Sequence, residues 1–292
     1  MRLGRSDAVV AAAILVLLAL NLVVLAEALP ETRRVDSGCC SDHQLAKDFS
    51  AYYVASWRLA FDPSHVYAPP NASSGGPSIL PRPEVYKYLP SMLLFILPFL
   101  ALPYQEALTA FDLVQFALLC LTSLLVSLLV RGRGATLTVA VATIVILLPV
   151  PGLGSWLSQP YYWQWAEGQS KVLETFLLVV SFYLGTTGKT RLSGAALGLS
   201  GFDPRFTLLA IPLFLASNRT SLVRSCKWGA AIFALTNSAL LYSPIGGGFV
   251  SVLLSSGLST PVYPYSFIPI ATVLSLSAAR YDDIRSLISR PG

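Results

Sequence analysis

The run from Ala8 to Leu25 is apolar, follows Arg2 and Arg5, and is long enough to cross the roughly 30 Å hydrocarbon layer of a bilayer as a helix. Within lipid every backbone N–H and C=O must be satisfied internally, so a spanning segment of one chain has to be helical or part of a closed barrel. Retained, the run is an anchor that leaves the N-terminus inside. The competing reading is a cleavable signal peptide, for which Ala26 and Ala28 supply small residues, but the run is longer than the roughly 7 to 15 apolar residues usual there.

Further apolar segments follow the anchor. Leu108 to Val130 reads as a full span, Ala135 to Val150 as a return, and Val172 to Leu184 as another crossing. The stretch from Leu192 to Ser217 is interrupted by Phe202, Asp203, Pro204 and Arg205 and reads as two short helices meeting at a charged break. Trp228 to Tyr242 and Phe267 to Ala279 complete the set, while Leu89 to Pro103, punctuated by three prolines, is too short to cross and reads as a re-entrant or interfacial helix. Only 12% of the chain is charged against 54% hydrophobic, which argues against a water-soluble fold. The expected fold is all-α, a polytopic transmembrane helix bundle of one domain, 1–292, with a first span at 8–30, an outer loop at 31–88 containing a juxtamembrane helix, and a bundle at 89–292.

Charge supplies the orientation. The net charge is +5, yet no basic run with interleaved aromatics is present, so nucleic acid is not an expected partner. Under this topology 12 of the 20 basic residues and three of the 15 acidic ones lie inside, the asymmetry that cytoplasmic loops show. The long first loop, the loop from Pro151 to Gln169, the Asp203 break and the loop from Ser243 to Ser266 then face out. Cys39 and Cys40 are adjacent, which suits neither a zinc site nor an easy mutual disulfide, and Asn71 and Asn218 sit in glycosylation sequons.

Four places carry candidate chemistry. Gln44 to Ala60 has helix-forming composition and puts Asp48, Tyr52, Ala55 and Leu59 on one face, where Asp48 is either a proton acceptor or a solvated helix-start charge. Tyr86, Lys87 and Tyr88 place a cation between aromatics at the lip of the membrane, fit for anchoring or for binding. The block Trp156, Tyr161, Tyr162, Trp163 and Trp165, ending at Glu167, Gly168, Gln169 and Lys171, is either an aromatic belt at the membrane interface or a set of rings beside polar groups that stacks on sugar, and it is richer than anchoring needs. Asp203 and Arg205 flank Pro204 in an apolar run, where an ionisable pair points to function, with Arg205 suited to a phosphate, or else to a mutual ion pair. The two histidines, His43 and His65, form no metal motif, and neither metal nor cofactor is expected.

The order of these features resembles the C-type glycosyltransferase superfamily, and within it the polyprenyl-phosphate-mannose-dependent alpha-1,2-mannosyltransferases. Three stretches carry the likeness: Lys47 to Tyr53 with Val66 and Tyr67; Tyr86 to Pro90 with Leu97, Pro98, Leu102 and Pro103; and Gly168 and Gln169 followed by Arg191 to Leu199. The resemblance implies an inverting glycosyltransferase of the cell membrane, multi-pass, with its site outside. Its donor would be a sugar on a polyprenyl phosphate, its acceptor a glycolipid or glycan, and its other partners membrane lipid and membrane proteins. Asp48 would be the catalytic base. Tyr52, Tyr86, Lys87, Tyr88, Trp163, Glu167, Gln169, Asp203 and Arg205 would bind substrate. Asp203 stands where members often carry Lys, and the chain is short at its C-terminal end beside typical members, so an inactive scaffold or accessory relative is the alternative, and a polytopic transporter another.

Overall fold

A computed structural model describes residues 47–68, 85–130, 164–255 and 266–280, together with parts of 8–26. Among them every regular element is helical. The helices are α1 (Ile14–Ala26), α2 (Lys47–Phe61), α3 (Ser91–Ile96, continued by a 3-10 turn at Leu97–Ala101), α4 (Tyr104–Val130), α5 (Lys171–Thr186), α6 (Thr190–Ser200), α7 (Pro204–Ser217), α8 (Leu222–Thr236), α9 (Ser243–Ser255) and α10 (Phe267–Ala279).

Two apolar clusters fix the directions of the helices. At one end, Val24 and Leu25 of α1 pack with Leu119, Trp165, Val172, Ile268 and Ala271. At the other, Ile14 packs near Val126, Leu129, Phe182, Leu213, Phe214, Leu276 and Ala279. Hence α4, α5, α7 and α10 run one way and α1 the other. We call the end where α4, α5, α7 and α10 begin the upper end. Lys189, Arg191, Arg219, Arg224, Lys227 and Arg280 all belong to the turns and helix ends at the lower end, whereas Asp48, Glu167 and Asp203 belong to the upper.

Small residues let α5, α6 and α8 approach closely. Ser181 and Ser193 exchange hydroxyl-to-carbonyl hydrogen bonds of 3.0 and 2.7 Å across α5 and α6. A Cβ at Gly194 or Gly198 would collide with the carbonyls of Ser225 and Gly229 on α8, so only glycine permits this spacing. The pairing of 194 with 225 and of 198 with 229 makes α6 and α8 parallel, both rising to the upper end. Close packing through spaced glycines is the usual basis of helix association where lipid removes the hydrophobic drive.

Several expected elements appear with modest shifts. The outer-loop helix runs from Lys47 to Phe61, the short apolar segment is α3 with its 3-10 extension, and α10 has the expected bounds. The charged break separates α6 from α7 because Asp203 accepts from the Arg205 backbone N–H as an N-cap while Pro204 occupies the first helical position. The segment expected from Trp228 to Tyr242 instead starts at Leu222, and a 3-10 turn takes Ser238–Leu241. The stretch after Ser243, expected to be loop, begins with helix α9, since Pro244 suits a first turn and Phe249–Ser255 propagates it. The return at 135–150 lies outside the described residues. Only α4 among them is long and apolar enough to cross a membrane.

Candidate active site

The site is built around the turn at 164–170. Trp165 donates its indole N–H to Asn21 Oδ1 at 3.0 Å, tying the turn to α1. The side-chain amides of Gln164 and of Gln115 on α4 both donate to the Gln169 carbonyl, and the Leu173 N–H donates to Gln115 Oε1 at 3.2 Å. Gly168 closes the turn with φ +64°, and a Cβ there would stand 2.5 Å from Phe49 Cβ. Glycine therefore serves both the left-handed backbone and the approach of α2. The first backbone N–H groups of α2, those of Asp48 and Phe49, each donate to the Glu167 carbonyl at 3.2 Å. This satisfies donors that a helix start otherwise leaves unpaired, and it pins Asp48 beside Glu167.

Tyrosines line the side facing α3. Tyr52, one turn after Asp48, donates to Gln169 Oε1 at 3.3 Å, and its ring meets Tyr88 and Tyr86 edge-on at 5.4 and 6.3 Å. Tyr86 donates to the Leu89 carbonyl at 2.7 Å and Tyr67 to the Tyr88 carbonyl at 2.8 Å. Burial pushes the Tyr52 hydroxyl well above its ordinary pKa, with Tyr88 and the Asp48 carboxylate adding to the effect. Burial likewise raises Tyr86 strongly and takes Tyr88 to about 12. All three phenols are thus neutral donors at neutral pH.

Beneath the tyrosines lies a buried charge cluster. Lys171, fully buried at the start of α5, donates to Glu174 Oε2 at 3.1 Å and to Asp203 Oδ2 at 2.6 Å. Its ammonium also stands 5.3 Å from the Tyr88 ring centre and 4.6 Å from that of Phe206. Arg205 reaches Asp203 from the open side with a fork of two hydrogen bonds, Nε to Oδ1 at 2.9 Å and Nη2 to Oδ2 at 2.7 Å. Burial opposes ionisation of Asp203, but Lys171 and Arg205 outweigh it and hold the carboxyl below its ordinary range. The Arg205 side chain is 52% exposed and Asp203 is 2% exposed, so the cluster presents one cation outward and keeps the other inside.

Eight of the residues singled out by sequence thus meet at the upper end: Asp48, Tyr52, Tyr86, Tyr88, Glu167, Gln169, Asp203 and Arg205. Lys87 is exposed between the buried Tyr86 and the half-buried Tyr88. Trp163 lies outside the described residues. Sequence reading gives Lys171 only as the end of the aromatic block and does not single out Glu174; an ionisable pair at i and i+3 at the head of an apolar segment is the available signal. The mutual Asp203–Arg205 ion pair is present. Asn218 of the second sequon is buried, accepting from Ser225 Oγ at 3.0 Å and donating to the Phe214 carbonyl, so this conformation offers no accessible acceptor there. Among the described residues, no three His, Cys, Asp or Glu side chains are grouped to hold a metal.

The described residues thus form an all-helical chain with a polar, charged cluster at one end of its apolar helices. Residues 86–282 match the family model of glycosyltransferase family 87, and since that stretch is more than half of the chain, the protein belongs to this family of glycosyltransferases. Its members are membrane proteins, in keeping with α4. No curated protein and no solved structure matches the chain. The matched stretch holds Tyr86, Tyr88, the 164–170 turn and the charge cluster but starts after α2 and Tyr67, so the standing of Asp48 and Tyr52 rests on geometry.

Proposed function

We propose that the protein is a multi-pass enzyme of the cell membrane, one integral domain over 1–292, that moves a mannose-like sugar from a polyprenyl phosphate to a lipid or glycan acceptor. The observation that carries this reading is the docking of the Asp48 helix start onto the Glu167 carbonyl, which brings a carboxylate to the tyrosines that cover Lys171, Asp203 and Arg205. In the reaction, the acceptor hydroxyl oxygen bonds to the sugar's anomeric carbon from the face opposite the phosphate, and the anomeric C–O bond to phosphate breaks. The lipid phosphate departs with the electron pair, and the configuration inverts. Asp48 takes the proton of the attacking hydroxyl. Arg205, the outward cation, steadies the phosphate by charge-assisted hydrogen bonds, and Gln169, Glu167 and the tyrosine hydroxyls orient sugar and acceptor. The collection of basic residues at the lower end supports an outward-facing upper end.

One observation favours a second reading, that of an accessory subunit which keeps the fold without the reaction. Asp203 already engages Arg205 through two guanidinium hydrogen bonds, the manner in which a phosphate would be held. Incubating purified protein in lipid with radiolabelled polyprenyl-phosphate mannose and a panel of glycolipid acceptors separates the two. Labelled acceptor is the expected product. Donor binding without transfer to any acceptor, in protein that elutes as a single folded species, would favour the accessory role.

A further inference from the structure

Helix α9 belongs to neither the bundle nor the charged site. The chain leaves the bundle at the upper end, where Phe233 of α8 lies against Gly201 and the Ser91 N–H donates to Asn237 Oδ1 at 3.1 Å. It re-enters at the same end, because the first turns of α10 place Ile268 and Ala271 against Trp165 and Val172. Whatever lies between has to start and finish on one side. With 13 residues α9 is also too short to cross, which takes about 20.

The two faces of α9 differ. Ile245 is buried in the cluster that holds Tyr52, Tyr67 and Tyr86; the Phe249 ring meets that of Tyr67 at a tilt, 5.6 Å between ring centres, and Gly248 fits against the Tyr67 Cβ. The other face carries Val250, Leu253 and Leu254, the last 77% exposed, and Leu241, just before the helix, is 90% exposed. No Asp, Glu, Lys, Arg or His occurs anywhere from Trp228 to Ala279, so no charged side chain in the excursion opposes its entry into hydrocarbon. An exposed aliphatic stripe of the same kind, Leu113, Leu121, Leu124 and Leu128, runs along α4, the helix of membrane-crossing length.

We infer that α9 is a re-entrant helix lying within the membrane leaflet nearest the site, its Leu241, Val250, Leu253 and Leu254 face buried among lipid acyl chains. Interfacial helices ordinarily keep a charged face toward water. Here that face is replaced by packing on Tyr67, so α9 carries the tyrosine panel down to the lipid surface. The inference rests on the family's membrane character and not on the identity of any sugar donor.

The test uses the full chain in phospholipid nanodiscs, with native cysteines replaced by Ser and a single nitroxide placed through Leu254→Cys, Val250→Cys or, as the aqueous reference, Ser64→Cys. All three positions are exposed, which spares the packing. At 250 and 254 the nitroxide should collide more with oxygen than with a nickel chelate, at a depth of less than about 15 Å below the hydrocarbon boundary, half the hydrocarbon layer. The Ser64→Cys label should show the reverse preference. Preference for the nickel chelate at both 250 and 254 would place α9 in water, shielding from both colliders would mean that another protein or a second copy covers it, and a depth beyond the midplane would make it a crossing. Each of these results overturns the inference.

Discussion

Helices α2 and α9 lie at the same end of the bundle and meet the same tyrosines, yet they are made of opposite materials. In α2 the residues at and just beyond the helix carry charge: Asp48 starts it, Arg58 donates to the Ala68 carbonyl at 2.7 Å near its end, and Asp62 pairs with His65. In α9 and its flanks there is no charge at all. Residues 49–56 of α2 are buried on every side, whereas in α9 only Ile245 is buried and Val250, Leu253 and Leu254 are exposed. The two helices therefore differ in how they are enclosed as well as in charge, and with it in the kind of substitution each tolerates. The α2 side depends on polar contacts that reach far along the chain, such as those to Glu167 and Gln169, while the α9 side depends on apolar packing and backbone room.

The contrast is tested hardest where charge is buried. Changing Lys171 to Met leaves Asp203 and Glu174 without their shared cation, and loss of one partner from a buried pair is expected to cost about 3–5 kcal/mol in unfolding free energy. Chemical denaturation in detergent measures it, and a cost of under about 1 kcal/mol would show that the cluster is solvated. A second probe separates the two uses of Arg205. If it holds donor phosphate, Arg205→Gln should weaken polyprenyl-phosphate binding by about tenfold or more, and adding Asp203→Asn should leave that loss in place. Rescue by the double change would mean that Arg205 serves only Asp203.

Glycines give a direct comparison of the two regions. Gly168→Ala forces a left-handed residue into Phe49 and is expected to cost about 2 kcal/mol or more, while Gly247→Ala on α9, with open space around the new methyl, should be neutral or stabilise by up to about 1 kcal/mol. Equal costs at both sites would remove the distinction. The smallest effect belongs to pH. Tyr52, Tyr86 and Tyr88 have folded pKa values raised above the unfolded value of about 10. Above pH 10 the unfolded chain releases phenolic protons that the folded one keeps, so their contribution is intact below that pH and is lost as pH rises toward the folded values. The unfolding midpoint should drop as pH rises from about 10 toward 12, and the drop should shrink in a Tyr86→Phe, Tyr88→Phe variant.

How far the sequence discloses this arrangement depends on the range of the interaction. α10 is legible because an uncharged apolar run ends at Arg280, and the α6–α7 break because Asp203 and Pro204 are adjacent helix-start residues. The one-turn spacing of Asp48 and Tyr52 on α2 follows from helical periodicity, but the burial of residues 49–56 on every side does not. Lys171 is different: its partner Asp203 lies 32 positions away, and only the antiparallel return of α6 brings them together. α9 is obscured by Gly246, Gly247 and Gly248, which weaken helix propensity, and only the approach of Tyr67 gives Gly248 a packing reason. The glycines at 194 and 198 stood out as a family-like stretch, but their reason, contact with the α8 backbone, required the pairing of two distant helices.

Transfer itself supplies the most direct measurement. Asp48 can be changed to Asn, which keeps its size and its place on α2 while removing the proton acceptor, and single-turnover transfer from labelled polyprenyl-phosphate mannose compared with donor binding in the same preparation. The expected result is a fall of about 100-fold or more in the rate of transfer with donor affinity unchanged. Transfer at the original rate by the Asp48→Asn protein would contradict the account and would remove α2 from the chemistry.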